Sequence, residues 1–345
     1  MKHLFYIHSY ITYYVGLEVI KYRKLNHSDC VLMYGRKFKP HHPPVGMQQV
    51  DLPFTHHPVN TFAVKRKFWK GWERLRKFDA FVEKITFGDA FKIYTNQTGI
   101  DFIRLFISHK KCKGFSFLEE GLYSYHPLDE VNAVLCPAGL STMAYKVLLY
   151  LNYKGRLAAD RLFFKPEYDA VYGLQATSFP DFANRLILPN PFINQGESAG
   201  IEGAVLVLDA LFEYGRVRKG VYKQGLKSAF NYFKTEGITN IWLKLHPEHY
   251  NTTTQHQTIK DIIAECGKGV KVDVLPVEVC LERLAGDRRV KQVTFFVFLS
   301  SVGMYAALCN RSAFSFAWFI GERDEQYKQR VERLPKAFKE KVKFL

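Results

Sequence analysis

Three short motifs put proton-handling and phosphate-handling groups at spots where a fold can use them: Glu119-Glu120-Gly121, His246-Pro247 and Ser300-Ser301. Two adjacent carboxylates do not both ionise freely when withdrawn from water. One of the pair is therefore expected to carry a raised pKa and to suit base catalysis. On an extended backbone the two point to opposite sides, so only one enters the site. A proline after His246 fixes φ and needs no donor, which suits a strand-to-helix turn. Paired serines at a helix start bring hydroxyls beside free backbone N–H groups, an arrangement that accepts a phosphate. Each motif also has a plain reading: a solvated acidic turn, a structural histidine, an ordinary helix cap.

The elements that must position these groups are legible around them. The motifs end apolar runs, KGFSFLEEG, ITNIWLKLHPE and VTFFVFLSS, and the last continues into the helical pattern VGMYAALC. Buried strands ending in polar groups are how open α/β sheets present ligand sites. His-Pro occurs at His42, His57, His126 and His246, but only the last follows a strand-like run and precedes an acidic segment at Glu248. Glu278, in LPVEVCLE, follows the run VKVDVLP and lies between the second and third motifs.

In order and context these residues resemble the D/E-D/E-G, H-P and S-S motifs of bacterial sialyltransferases of the polysialyltransferase and lipooligosaccharide sialyltransferase type. The resemblance implies an α/β, GT-B-like fold, with two Rossmann-like domains facing a central cleft. It implies inverting transfer of sialic acid, or a related nonulosonic acid, from a CMP-activated donor to a hydroxyl of a capsule or lipooligosaccharide glycan. The base would come from Glu119 or Glu120, with Glu119 slightly favoured. His246 and Pro247 would sit at the donor phosphate, Ser300 and Ser301 would receive its charge, and Glu278 would hold the cytidine ribose. The opening LFYIHSYITYYVGLEVI is similar to the first strand, turn and helix of those enzymes, placing His8 and Ser9 at the cleft. The Glu-Glu pair departs from the commoner pattern, which contains Asp. The scheme requires no metal and no cofactor beyond the CMP-sugar.

Length and charge set the frame. The 345 residues suffice for two domains, and 47% apolar residues with 15% aromatics build sizeable cores. The net charge of +16 attracts anions, among them acidic glycans, sugar nucleotides and anionic lipid headgroups. No nucleic-acid-binding module stands out, so nucleic acid is not an expected partner. The six scattered cysteines, without C-x-x-C, read as reduced core thiols of a cytosolic protein, and the resemblance implies the bacterial cytoplasm. The N-terminus lacks a signal-peptide core, and no run is long and apolar enough to span a membrane. His41, His42, His56 and His57 form a His-rich loop with adventitious metal affinity at most.

Strand-like runs alternate with amphipathic stretches in LFYIHS, CVLMYG, FKIYT, GFSFL and AVLCPAG, and again in AVLVLDALF, NIWLKLHP, VKVDVLP, TFFVFLSS and AFSFAWF. Helical patterns fall at 219–236, 257–266 and 278–286. This predicts two α/β domains, over 1–190 and 191–315, and a basic amphipathic tail over 316–345; the resemblance implies that the first is the acceptor side and the second binds the CMP donor. Segments 65–85 and 323–345 are basic and amphipathic, the first with Phe68, Trp72, Leu75, Val82 and Ile85 on one face. They read as solvated packing helices, as docking elements on the inner face of the membrane, or as guides for an anionic acceptor. The alternatives to a sialyltransferase are transfer of Kdo or another nonulosonate from CMP, a UDP- or GDP-sugar enzyme, and a non-catalytic peripheral-membrane or polyanion-binding protein.

Overall fold

The computed structural model describes residues 1–54, 70–135, 143–157, 161–193, 200–290 and 292–345. The chain divides into two compact units, Met1–Pro191 and Phe192–Leu345. Both are α/β units of the Rossmann type, each built on one parallel sheet.

The first sheet contains β1 (Lys2–Ile7), β2 (Cys30–Tyr34), β3 (Gln48–Asp51), β4 (Phe91–Thr95), β5 (Cys112–Leu118), β6 (Val171–Gly173) and β7 (Arg185–Ile187). Its spatial order is β3-β2-β1-β4-β5-β6-β7. All of β2 and the last four residues of β1 and of β5 are buried, because both faces of the sheet are covered there. One core packs Phe91, Ile93, Phe106, Phe117 and Tyr153 with Leu75, Phe78, Val82 and Ile85 of the helix Lys70–Thr86.

The second sheet contains β8 (Gly203–Val207), β9 (Asn240–Lys244), β10 (Lys271–Val274), β11 (Val293–Val297), β12 (Ser312–Ser315) and β13 (Lys343–Phe344). Its order is β10-β9-β8-β11-β12-β13. In both sheets the first strand lies beside the fourth, so the chain reverses its direction of progress there. This is the switch point at which parallel sheets open a crevice for ligands.

Several expectations are corrected. The run AVLCPAG is not a strand as far as it is described: Leu128–Leu135 is helical, and residues 136–140 lie outside the described residues. The short strands β3, β6, β7 and β13 were not anticipated. Segment 316–345 is no separate tail, because its Tyr327, Val331, Phe338 and Val342 are buried and β13 pairs with β12. The apolar face of 65–85 is likewise core, with Leu75, Val82 and Ile85 buried, while Lys65, Arg66, Lys67 and Phe68 lie outside the described residues. The amphipathic patterns report packing faces, except at Trp72 of the first, which is 51% exposed. Among the described residues, no helix is long and apolar enough to cross one.

Candidate functional site

In the first unit, chemistry-bearing residues gather at the C-terminal ends of β1, β4 and β5. His8 and Ser9 form the turn after β1. Ser9 caps the helix Tyr10–Tyr22, accepting the Thr12 N–H at 3.3 Å. The Thr12 hydroxyl in turn accepts the N–H groups of His8 and Ser9 at 3.1 and 3.2 Å. The Ser9 hydroxyl is thus engaged in capping, which holds the His8 backbone in place. The His8 ring stacks on Tyr6 at 5.1 Å and meets the Glu120 carboxylate through Nε2. Asn96, just after β4, donates from Nδ2 to the other Glu120 oxygen. Three neighbouring strand ends therefore converge on one carboxylate across the switch point.

Glu119 and Glu120 do point to opposite sides, and the sides differ completely. Glu119 has no exposed surface. It accepts from Tyr125 Oη through Oε1, and from the Leu174 N–H at 2.6 Å and Ser178 Oγ at 2.7 Å through Oε2. Gly173 allows this approach, since a Cβ there would lie 2.5 Å from that of Ser178. Burial, together with the Glu119 charge and hydrogen bond, raises the Tyr125 hydroxyl well above its ordinary range. The slightly favoured Glu119 is thus placed as a buried tie between β5, β6 and the turn that follows, out of reach of solvent.

Glu120 is part-exposed, its side chain 24% accessible. Burial alone would raise its carboxyl, but the charge and hydrogen bond of His8, then Arg36 and Asn96, hold it below the ordinary value. The expected raised pKa is thus not found at Glu120, because opposite charge and donors outweigh desolvation. Gly121 follows with φ +55°, a conformation that glycine adopts without strain.

In the second unit, four adjacent strands deliver the remaining residues along one sheet end: Glu278 after β10, His246 after β9, Asp209 after β8 and Ser300-Ser301 after β11. His246 opens a short 3-10 turn, Pro247–Tyr250, and its Nδ1 accepts the Glu248 N–H at 3.1 Å. An accepting Nδ1 leaves the proton of a neutral ring on Nε2, so the turn sets the tautomer. Tyr214 packs edge-on against this ring at 5.9 Å and donates to Glu248 at 3.2 Å.

Behind it lies a pair that sequence reading missed. His249 Nδ1 accepts the His246 N–H at 3.1 Å, and its Nε2 meets Glu213 at 3.0 Å, with both side chains buried. The pair anchors the His246 turn to the segment after β8. The spacing in His246-Pro-Glu-His249 was its only sequence signal.

Asp209 accepts the Leu299 N–H at 2.8 Å, bridging β8 to the turn that leads into Ser300-Ser301. Burial pushes its carboxyl up to about 6, against the Leu299 hydrogen bond and the His249 charge. Ser300 Oγ accepts the Val302 N–H at 3.4 Å, whereas Ser301, at the cap position, makes no side-chain cap bond. The helix they open, Val302–Leu308, is only seven residues long.

Glu278 is exposed on a turn held by Lys244, another residue the sequence reading passed over. Lys244 Nζ donates to the carbonyls of Pro276, Val277 and Val279 at 2.6, 2.8 and 2.9 Å. A Lys244→Met change removes three charged hydrogen bonds from this turn. Exchange of the Val279 amide, which bonds to Pro276 O at 3.2 Å, is expected to quicken about 30-fold, the equivalent of ~2 kcal/mol. Unchanged exchange would mean that Lys244 is not the clamp. Among the described residues, no group of three or more His, Cys, Asp or Glu is arranged to hold a metal ion. His56 and His57 lie outside the described residues.

No protein-family model matches the chain, and no curated protein sequence matches it. Similar solved structures include WaaG, a glycosyltransferase involved in lipopolysaccharide biosynthesis, at 11% identity and TM-score 0.46, over 97% of this chain and 90% of that one. A glycosyltransferase from Rickettsia africae ESF-5 is similar at 9% identity and TM-score 0.41, over 91% and 78%. A trehalose-6-phosphate structure from E. coli, bound with UDP-2-fluoro glucose, is similar at 9% identity and TM-score 0.42, over 99% and 97%. These likenesses are distant, and the chemistry of the site rests on its own residues.

Proposed function

We propose that this chain is an inverting glycosyltransferase that moves sialic acid, or a related nonulosonic acid, from a CMP-activated donor to a hydroxyl of a bacterial surface glycan. The observation that carries this reading is the alignment of Glu278, His246, Asp209 and Ser300 on four adjacent parallel strands at a switch point. Three strand intervals span about 14 Å, a fit for a nucleoside monophosphate laid along the sheet end. Glu278 at one end suits ribose hydroxyls. The Nε2–H of His246 and the Ser300-Ser301 hydroxyls suit the single phosphate. In the first unit, Glu120, kept ionised by His8 and Asn96, suits a proton acceptor.

The chemistry assigns each group a task. The acceptor hydroxyl gives its proton to a carboxylate, a role that suits Glu120, while its oxygen attacks the anomeric carbon. The bond from that carbon to the phosphate oxygen breaks, and the electron pair leaves with CMP. His246 stabilises the charge developing on that oxygen and can deliver a proton to it.

Nucleotide titration followed by thermal unfolding tests the donor. Cytidine nucleotides, and not UDP or GDP, are expected to raise the unfolding temperature, by the equivalent of about 2.7 kcal/mol at a hundredfold excess over Kd. His246→Gln is then expected to lower turnover with CMP-Neu5Ac by about 10²–10³-fold while the fold survives. A shift with UDP or GDP alone would discard the CMP donor and keep sugar transfer. No shift with any nucleotide would discard both.

A further inference from the structure

The helix Met143–Asn152 presents an apolar stripe to solvent. Met143 is 76% exposed, Val147 47%, Tyr150 56% and Leu151 51%. Their spacing of four, three and one residues puts them on one helical face. Trp72, 51% exposed, joins this face by donating its indole N–H to the Leu151 carbonyl at 3.1 Å. Single exposed apolar residues are ordinary, but a contiguous stripe capped by an indole is an interaction surface.

Its surroundings identify the partner. A groove of about 530 Å³ borders Trp72 and is lined by Arg76, Lys154 and Arg156, with Glu73 and Asp79. Glu73 is taken up by Lys77 and Asp79 by Arg156, each pair at 2.5 Å. Arg76 and Lys70 add exposed positive charge, and Lys154 stands 5.8 Å from the Trp72 ring. Apolar side chains and Trp beside a net cationic rim match the boundary between acyl chains and anionic headgroups.

We infer that this face of the first unit docks on an anionic lipid bilayer, with Met143, Val147, Leu151 and Trp72 entering the interface while Lys70, Arg76 and Lys154 meet headgroup phosphates. Of the apolar pattern in 65–85 only Trp72 takes part, since Leu75, Val82 and Ile85 are core; the stripe on Met143–Asn152 lies outside both amphipathic segments. It also stands independently of the transferase reading.

Co-sedimentation with vesicles tests it. Full-length protein is expected to bind phosphatidylglycerol–phosphatidylcholine vesicles and to be released by salt, with little binding to phosphatidylcholine alone. Val147→Glu with Leu151→Glu is expected to abolish binding while thermal unfolding stays unchanged, since both side chains are exposed. Arg76→Ala with Lys154→Ala is expected to weaken binding about 30-fold at low salt. Equal binding to neutral vesicles, or wild-type binding by the glutamate variant, would overturn the inference. So would a dimer in vesicle-free solution that the glutamate variant dissociates, which would make the face a contact between copies of this chain.

Discussion

Glu120→Gln is expected to lower transfer by 10²–10⁴-fold and to leave the fold intact, whereas Glu119→Gln is expected to weaken the fold itself. The neighbouring carboxylates have opposite surroundings. Glu120 is part-exposed and held by the side chains of His8 and Asn96, so an amide fits there sterically but cannot take a proton from an acceptor. Glu119 accepts three hydrogen bonds in a fully buried site, one of them from the Leu174 backbone. An amide there turns one acceptor into a donor and confronts an existing N–H or O–H. The cost is about 3 kcal/mol, or roughly 10 °C in the melting of the first unit. Activity assays and thermal unfolding of both variants check this together. A folded Glu119→Gln with no activity beside a fully active Glu120→Gln would reverse the assignment. Because Glu120 is held below the ordinary carboxylate range, the acid limb of its pH profile is expected to fall below that of an ordinary glutamate.

Asp209→Asn is expected to make the second unit more stable at neutral pH. The Asp209 carboxyl is raised by burial from 3.8 to about 6. Its protonated form therefore favours folding: that contribution is complete below pH 3.8 and is lost as pH rises through about 6. The shift of about two units corresponds to about 3 kcal/mol. Asparagine keeps an oxygen for the Leu299 N–H and carries no charge. The variant is expected to exceed the native chain by about 3 kcal/mol above pH 7, with the gap narrowing as pH falls toward 4. Denaturant unfolding across pH measures this, and parallel stability curves would refute it. A buried acid that costs stability at a candidate phosphate site is a common trade of stability for function.

The sequence was most legible where a long apolar run ended in a polar pair. β1, β5, β9 and β11 lead into such groups, with His8, Glu120, His246 and Ser300 at their ends. The α/β class and the two-unit division followed from that alternation. Short strands such as β6 and β13 were not legible, because two or three residues carry no period and their neighbours make them strands. AVLCPAG misled because a short apolar run has no period that separates helix from strand. Which glutamate faces the site depended on Tyr125, Ser178 and Leu174, brought close only by folding. Asp209 and Asn96 did carry a signal, as polar residues just past strand-like runs. Lys244 did not, since its use lies in carbonyls supplied by the turn after β10.

The strand order also sets a schedule for folding. Lys2 pairs with Phe91 and Gly203 with Val293, so the central seam of each sheet joins segments far apart in the chain. Long-range parallel pairings form slowly, because their loops must close before any contact compensates. In each unit that late seam is also the crevice holding the candidate chemistry, bridged by Asp209 to Leu299 in one and by Asn96, Glu120 and His8 in the other. Assembly of the site and completion of the sheet are therefore expected to coincide, and a molecule that binds across the seam is expected to slow unfolding by holding that junction shut.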